Sequence, residues 1–157
     1  SPKSIYPLLN MMQGVVDGGT GRIVRRMGFK HPAGGKTGTT NNFKDAWFNG
    51  FTKTMSTAVW VGYDNNKPMI NRFKRGLTGA SAAAPIWAFF MEKALKGKNE
   101  IKFPIPEGIK FEKVDVHSGT FVDDQSLESI NVALKEEIVV LPRDLNLNDI
   151  SMEQEPK

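Results

Sequence analysis

Gly34-Gly35-Lys36-Thr37-Gly38-Thr39-Thr40 sets one ammonium group and three hydroxyls among three glycines. Glycines let a backbone pass close to a ligand, so the stretch describes a place where an anionic group meets a cation and hydroxyl donors. It is also where the pattern of the chain turns over. Helical periodicity precedes it and strand-like alternation follows it.

Downstream, residues 46–52 and 56–63 are rich in Trp, Phe, Val and Thr and are separated by a polar turn at Lys53-Thr54. Such runs predict a β-hairpin. In its second strand Thr57, Val59, Val61 and Tyr63 alternate with Ser56, Ala58, Trp60 and Gly62. Both sets are largely apolar, which predicts a sheet covered on both faces, with Trp60 and Trp87 in the core. Upstream, Ile5, Leu8, Leu9, Met12 and Val16 recur at the spacing of one helical face, with Ser4 as cap, Pro7 in the first turn and Gly18-Gly19 as the stop. Thr20 then caps a short second helix that turns Ile23, Val24 and Met27 inward and Arg22, Arg25 and Arg26 to water, ending at Gly28. His31-Pro32 breaks the helical pattern. A third helix is expected over 82–96, beginning near Pro85 and ending at Gly97, with Trp87, Phe90, Met91, Ala94 and Leu95 on one face.

These elements define an α+β chain. Residues 64–79 read as an exposed loop, and a boundary is expected after Gly97, dividing residues 1–97 from an extension, 98–157. The charge supports the division, since residues 1–99 hold 15 Lys and Arg against 4 Asp and Glu and residues 100–157 hold 6 against 13. In the acidic part a strand is expected at 109–116, a short apolar segment at 138–141 and a polar tail over 144–157.

Composition narrows the function classes. With 157 residues, 39% hydrophobic and 10% aromatic, the chain can bury a core. No run of eighteen apolar residues and no charged-then-apolar leader occurs, so no membrane span, membrane contact or export signal is expected from these residues. There is no cysteine, and His31 and His117 stand far apart, so no thiolate or spaced-histidine metal site is expected. The basic residues Arg22, Arg25, Arg26, Lys44, Lys53 and Arg72 are scattered and do not form an aromatic-interleaved stripe, which points to a solvated surface and away from nucleic acid.

A phosphate loop fits the central stretch poorly. That motif needs a glycine where this chain has Lys30, and it opens a helix, whereas strand-like residues follow here. The Lys36-Thr37-Gly38 triad instead resembles the third signature of active-site serine penicillin-recognising enzymes, whose set is Ser-x-x-Lys, Ser-x-Asn and Lys-Thr-Gly. The text from His31-Pro32-Ala33-Gly34-Gly35 through Asp45-Ala46-Trp47-Phe48-Asn49-Gly50-Phe51 resembles class A bifunctional penicillin-binding proteins. Gln13-Gly14-Val15-Val16-Asp17-Gly18-Gly19-Thr20-Gly21, Val59-Trp60-Val61-Gly62-Tyr63-Asp64 and Leu77-Thr78-Gly79-Ala80-Ser81 are similar to the same family in the same order.

The resemblance implies a D-Ala-D-Ala transpeptidase that cross-links peptidoglycan, is acylated by β-lactams and sits at the periplasmic face of the bacterial inner membrane. It implies that Lys36 supplies charge and that Thr37, Gly38, Thr39 and Thr40 hold the substrate, with the two hydroxyls of Thr37 and Thr39 on its carboxylate. It further implies that the Thr39 N–H meets the developing oxyanion, and it calls for no metal or organic cofactor. Trp47 and Asp45 are expected to be structural. The first two signatures should lie upstream of Lys36, yet no serine here is followed three residues later by lysine, and Ser129-Ile130-Asn131 lies downstream in the acidic part. The expectation is therefore the C-terminal part of a transpeptidase domain, inactive alone and partnered by the upstream half of that domain, with peptidoglycan stem peptide or β-lactam as ligand. Exposed edges could then self-associate. A non-catalytic peptide- or cell-wall-binding module and a purely structural segment stand as alternatives.

Overall fold

The computed structural model describes residues 1–122 and 129–137. Two compact units divide at Ser1–Glu107 and Gly108–Lys157. The expected apolar segment at 138–141 and the tail at 144–157 lie outside the described residues. Among the described residues no helix is long and apolar enough to cross a membrane.

The first unit is an antiparallel sheet with helices against one face. β1 (Gly34–Thr39), β2 (Asp45–Phe51) and β3 (Ser56–Gly62) are ordered β1-β2-β3, so β1 and β3 are its edges. The expected hairpin is β2–β3, within a residue of the expected bounds. α1 (Pro2–Asp17), α2 (Ile23–Arg26) and α3 (Ala84–Ala94) supply the cover. α3 is entered through a π-helical turn at Gly79–Ala83, capped reciprocally by Thr78 and Ser81. Val16, Val24, Phe29, Phe48, Trp87, Met91 and Leu95 form one buried cluster between sheet and helices.

Several expectations change in three dimensions. α1 starts at Pro2 with Ser1 as its cap position, so Ser4 is not the cap and Pro7 lies inside the helix. Pro7 has no N–H to give the carbonyl four residues back, and flanking turns carry the helix through it. Among the described residues of the first unit, the helices cover one face of the sheet. Trp47 and Trp60 on the other face are 40% and 43% exposed, so Trp60 is not core, whereas Trp87 is fully buried. Apolar alternation told both strand faces apart without telling which one the helices occupy. Phe90 is likewise exposed, and Ala88 takes its place on the buried side of α3.

Arg25 does not simply face water. Its guanidinium bonds Asp17 at 2.8 Å and the carbonyls of Phe29 and His31 at 2.9 and 2.8 Å. It ties the end of α1 to the segment that leads into β1. Arg25→Gln should lower stability by about 1–2 kcal/mol, because two carbonyls lose a charged donor; denaturant unfolding measures this, and an unchanged midpoint would contradict it.

The loop over 64–79 is more ordered than its polarity suggested. Met69 is buried, Ile70 bridges Gly76, and the Asn71 carboxamide oxygen accepts the Phe73 and Arg75 N–H groups. It packs on the β1–β2 turn, where Asn42 and Phe43 have φ of 62° and 56° and the Phe43 carbonyl accepts the Met69 N–H. A phenylalanine at positive φ needs such support.

The second unit pairs β4 (Ile109–Asp115) with β5 (Ser129–Lys135) antiparallel, from Ile109 opposite Lys135 to Asp115 opposite Ser129. β4 falls where a strand was expected; β5 was not foreseen and contains Ser129-Ile130-Asn131 as ordinary ladder residues. After β4 the Asp115 carboxylate accepts from Ser118 N and Oγ and from His117 N. The Ser118 bonds, first of all, hold its pKa below the ordinary carboxylate value. A depressed folded pKa means that this turn gains stability above the ordinary value and loses it as pH falls through the lower folded one.

A candidate substrate-binding edge strand

The site residues lie on β1, and the pairing register decides where each one faces. Thr37 is opposite Phe48 and Thr39 opposite Ala46, while Lys36 is opposite Asn49 and Gly38 opposite Trp47. Residues directly opposite share a face. Phe48 and Ala46 are buried and Trp47 and Asn49 exposed, so Thr37 and Thr39 lie on the helix-covered face and Lys36 on the open one. The expected convergence of a cation and two hydroxyls on one face therefore does not arise from the strand itself. It is recovered at the edge, where the Lys36 ammonium folds round to donate to the Thr37 carbonyl at 2.8 Å.

The same register fixes the backbone. Thr40 N–H donates to the Asp45 carbonyl at 3.1 Å, which makes Thr40 and Asp45 a hydrogen-bonded pair. Antiparallel ladders alternate, so Gly38 and Lys36 exchange bonds with β2, and the N–H and C=O of Thr39 and Thr37 point away from it. Among the described strands nothing pairs with that edge. A row of backbone donors and acceptors that no described strand pairs therefore runs along β1, with the Lys36 ammonium on the Thr37 carbonyl.

Each hydroxyl also has a local partner. Thr37 Oγ1 lies 2.9 Å from Thr20 Oγ1, and Thr39 Oγ1 accepts the Gly79 N–H at 3.0 Å, which leaves its own proton to donate. Thr40 Oγ1 accepts the Asp45 N–H and donates to the Asp45 carboxylate, at 2.8 and 3.1 Å, so this hydroxyl closes the turn after β1. The other Asp45 oxygen accepts Trp60 Nε1–H at 2.9 Å, in keeping with a structural Asp45. Gly38 is needed for space as well as for access: a Cβ there would sit 3.2 Å from that of Trp47.

Two supports were missed by sequence reasoning. Thr20 does not cap α2, whose cap position is Arg22, but reaches across to Thr37. The tight turn that allows this packs Gly21 against Val15 and Phe48, where a Cβ would lie 3.1 and 3.2 Å away. Gly79 presses on the sheet backbone behind Gly38. The Gly-Gly-Thr-Gly and Thr-Gly-Ala-Ser texts carried the signal, but their contacts span 17 and 40 residues of chain.

No family model matches the chain. It is 42% identical over 108 residues to penicillin-binding protein 1A of Neisseria gonorrhoeae, an alignment covering 69% of this chain and 13% of that protein. With penicillin-binding protein 1A of Rickettsia conorii it shares 38% identity over 116 residues, 74% of this chain and 14% of the other. The crystal structure of penicillin-binding protein 1A from Haemophilus influenzae is similar with a TM-score of 0.61 at 31% identity, covering 77% of this chain and 18% of that one. The chain thus spans about one seventh of the curated relatives it matches. An antiparallel sheet with helices packed on it, matching that structure, is an α+β partial fold of the penicillin-binding, serine transpeptidase class. Within that class the chain belongs to the penicillin-binding protein 1A family.

Proposed function

We propose that these residues form one wall of the active site of a D-Ala-D-Ala serine transpeptidase that cross-links peptidoglycan and is acylated by β-lactams. The observation that carries the reading is the unpaired edge of β1, with Lys36 Nζ folded onto it. A peptide ending in a carboxylate adds to such an edge as a further strand, its backbone held by the N–H groups of Thr37 and Thr39 and by the Thr39 C=O. The Thr39 N–H then points at the carbonyl under attack and stabilises its oxyanion. Lys36 supplies positive charge beside the reacting centre, and the Thr37 and Thr39 hydroxyls donate to the carboxylate.

The nucleophilic serine of Ser-x-x-Lys comes, in this reading, from the upstream half of the same domain, and this segment alone does not turn over. Ile5, Leu8 and Met11 on α1, Ile86 and Phe89 on α3, and the Trp47–Trp60 face are exposed, and β3 has a second open edge. These surfaces are what the rest of a domain would cover, and without it they would favour self-association. In this reading, and from the family resemblance, the whole protein works at the periplasmic face of the bacterial inner membrane.

The test is labelling of the full-length protein by a fluorescent penicillin. Lys36→Ala should slow acylation by roughly 10²–10³-fold, the usual effect of removing a group aimed at developing charge. Its side chain is exposed, so the unfolding midpoint should not move. Acylation within a few-fold of the unsubstituted protein would refute the role of Lys36. Reversible penicillin binding with no covalent label in the unsubstituted protein would instead leave a binding module.

A further inference from the structure

Three arginines fall within residues 22–26, and the structure separates their roles. Arg25 is engaged by Asp17 and two carbonyls. The Arg22 and Arg26 side chains are exposed and have no ion pair or side-chain hydrogen bond among the described residues. They lie four residues apart, with the Arg26 N–H bonded to the Arg22 carbonyl at 3.1 Å, so both guanidinium groups leave the same side of α2. That side lines a cleft of about 750 Å³, shared with Thr20, Ile23, Ser81 and Pro85.

Both walls of this cleft are tied to β1. The wall carrying Thr20 is hydrogen-bonded to Thr37, and the wall that continues into Ser81 and Pro85 starts at Gly79, whose N–H is held by Thr39. The cleft therefore opens between the two elements that grip the strand's helix-side hydroxyls. Its chemistry selects the anion. Two guanidinium forks suit a carboxylate or a phosphate, and Ile23, Ala80 and Pro85 offer room for the aliphatic stem of an acidic side chain. A phosphate nest would need free backbone N–H groups, but those of Gly18 and Gly19 are bonded to the Gly14 carbonyl and that of Gly21 to Val15.

We propose that this cleft is a carboxylate subsite, in which Arg22 and Arg26 bind an acid group of the peptide whose backbone lies along β1. The inference rests on the transpeptidase reading of β1 and adds a specificity determinant to it. In that reading the peptide's own C-terminus is held by the Thr37 and Thr39 hydroxyls, so the acid group is a side-chain carboxylate.

The test compares the full-length protein with its Arg22→Gln/Arg26→Gln variant. Three substrates are used: a fluorescent penicillin, a D-Ala-D-Ala peptide with a side-chain carboxylate, and the same peptide with that group amidated. With the acidic peptide each lost charged hydrogen bond should raise KM about tenfold or more with little change in kcat, and for the penicillin, which acylates without turnover, the readout is the rate of acylation. A loss confined to the acidic peptide supports the inference; an equal loss with all three substrates would overturn it, because the arginines would then act on something other than the side-chain carboxylate. Arg22→Lys/Arg26→Lys should recover part of the loss, and it serves as the measured variant if the glutamine pair fails to fold. Unchanged KM for every substrate in both variants would overturn the inference while acylation leaves the reading of β1 standing. No acylation of the unsubstituted protein would overturn both.

Discussion

Trp87→Ala should cost about 3–5 kcal/mol of stability, enough to leave much of the first unit unfolded under ordinary conditions. Trp87 is fully buried, and its ring meets Phe29 and Phe48 edge-on at 5.4 and 5.2 Å. It fills space left open by Gly50, where a Cβ would lie 2.6 Å from the indole. Removing the ring opens a cavity that neither glycine nor the stiff sheet can collapse into. The indole N–H also donates to the Thr57 carbonyl at 3.1 Å. Trp87→Phe should therefore retain most of the packing yet still lose about 1–3 kcal/mol, because a part-buried carbonyl is left without its donor. Denaturant unfolding of both variants checks the pair; a Trp87→Phe protein as stable as the unsubstituted one would mean that the hydrogen bond is idle, and equal losses in the two would mean that the ring's packing contributes nothing.

Gly79→Ala is expected to damage fold and site together. A methyl group at Gly79 would stand 2.3 Å from the Trp47 carbonyl oxygen and 2.6 Å from that of Gly38. These are backbone atoms of paired strands and cannot swing aside, so either the helix entry or β1 must shift. Overpacking of this kind costs about 1–3 kcal/mol. The shift would also break the Gly79 N–H bond to Thr39 and move the residue whose N–H faces the edge. A misplacement near 1 Å costs about 10²-fold in rate, so penicillin acylation should fall by that order even where the protein remains folded. Ser81→Ala is the comparison, because it touches the cap with Thr78 and not the strand. If Gly79→Ala matched Ser81→Ala in both stability and acylation, the close approach would have no consequence.

What the sequence could announce was whatever depends on near neighbours. The β2–β3 hairpin and the span of α3 follow from aromatic and β-branched runs bounded by turn residues and glycine, and they sit where the pattern puts them. The triad Lys36-Thr37-Gly38 was legible as text. Its geometry was not, because the pleat sends Lys36 and Thr37 to opposite faces and only an open edge lets the ammonium return. Trp60 has the apolarity of a core residue, and whether it is buried depends on which face the helices choose. Thr20 read locally as a cap, yet its partner Thr37 lies 17 residues on. β5 failed for the same reason, since its pairing with β4 is settled by a register that no short window contains.

The alternation along β1 has a further consequence, which concerns counting. From Lys36 to Thr40 the even positions look inward to β2 and the odd positions outward, so the working groups are defined by parity. Inserting one residue between Gly34 and Lys36 with the β2 register kept would exchange every assignment: the lysine would change faces and the outward amides would be consumed by the neighbouring strand. Two inserted residues would restore the assignment. The length of this segment thus behaves like a frame, in which a shift by one silences the edge and turns the lysine onto the helix-covered face, and a shift by two leaves its order readable.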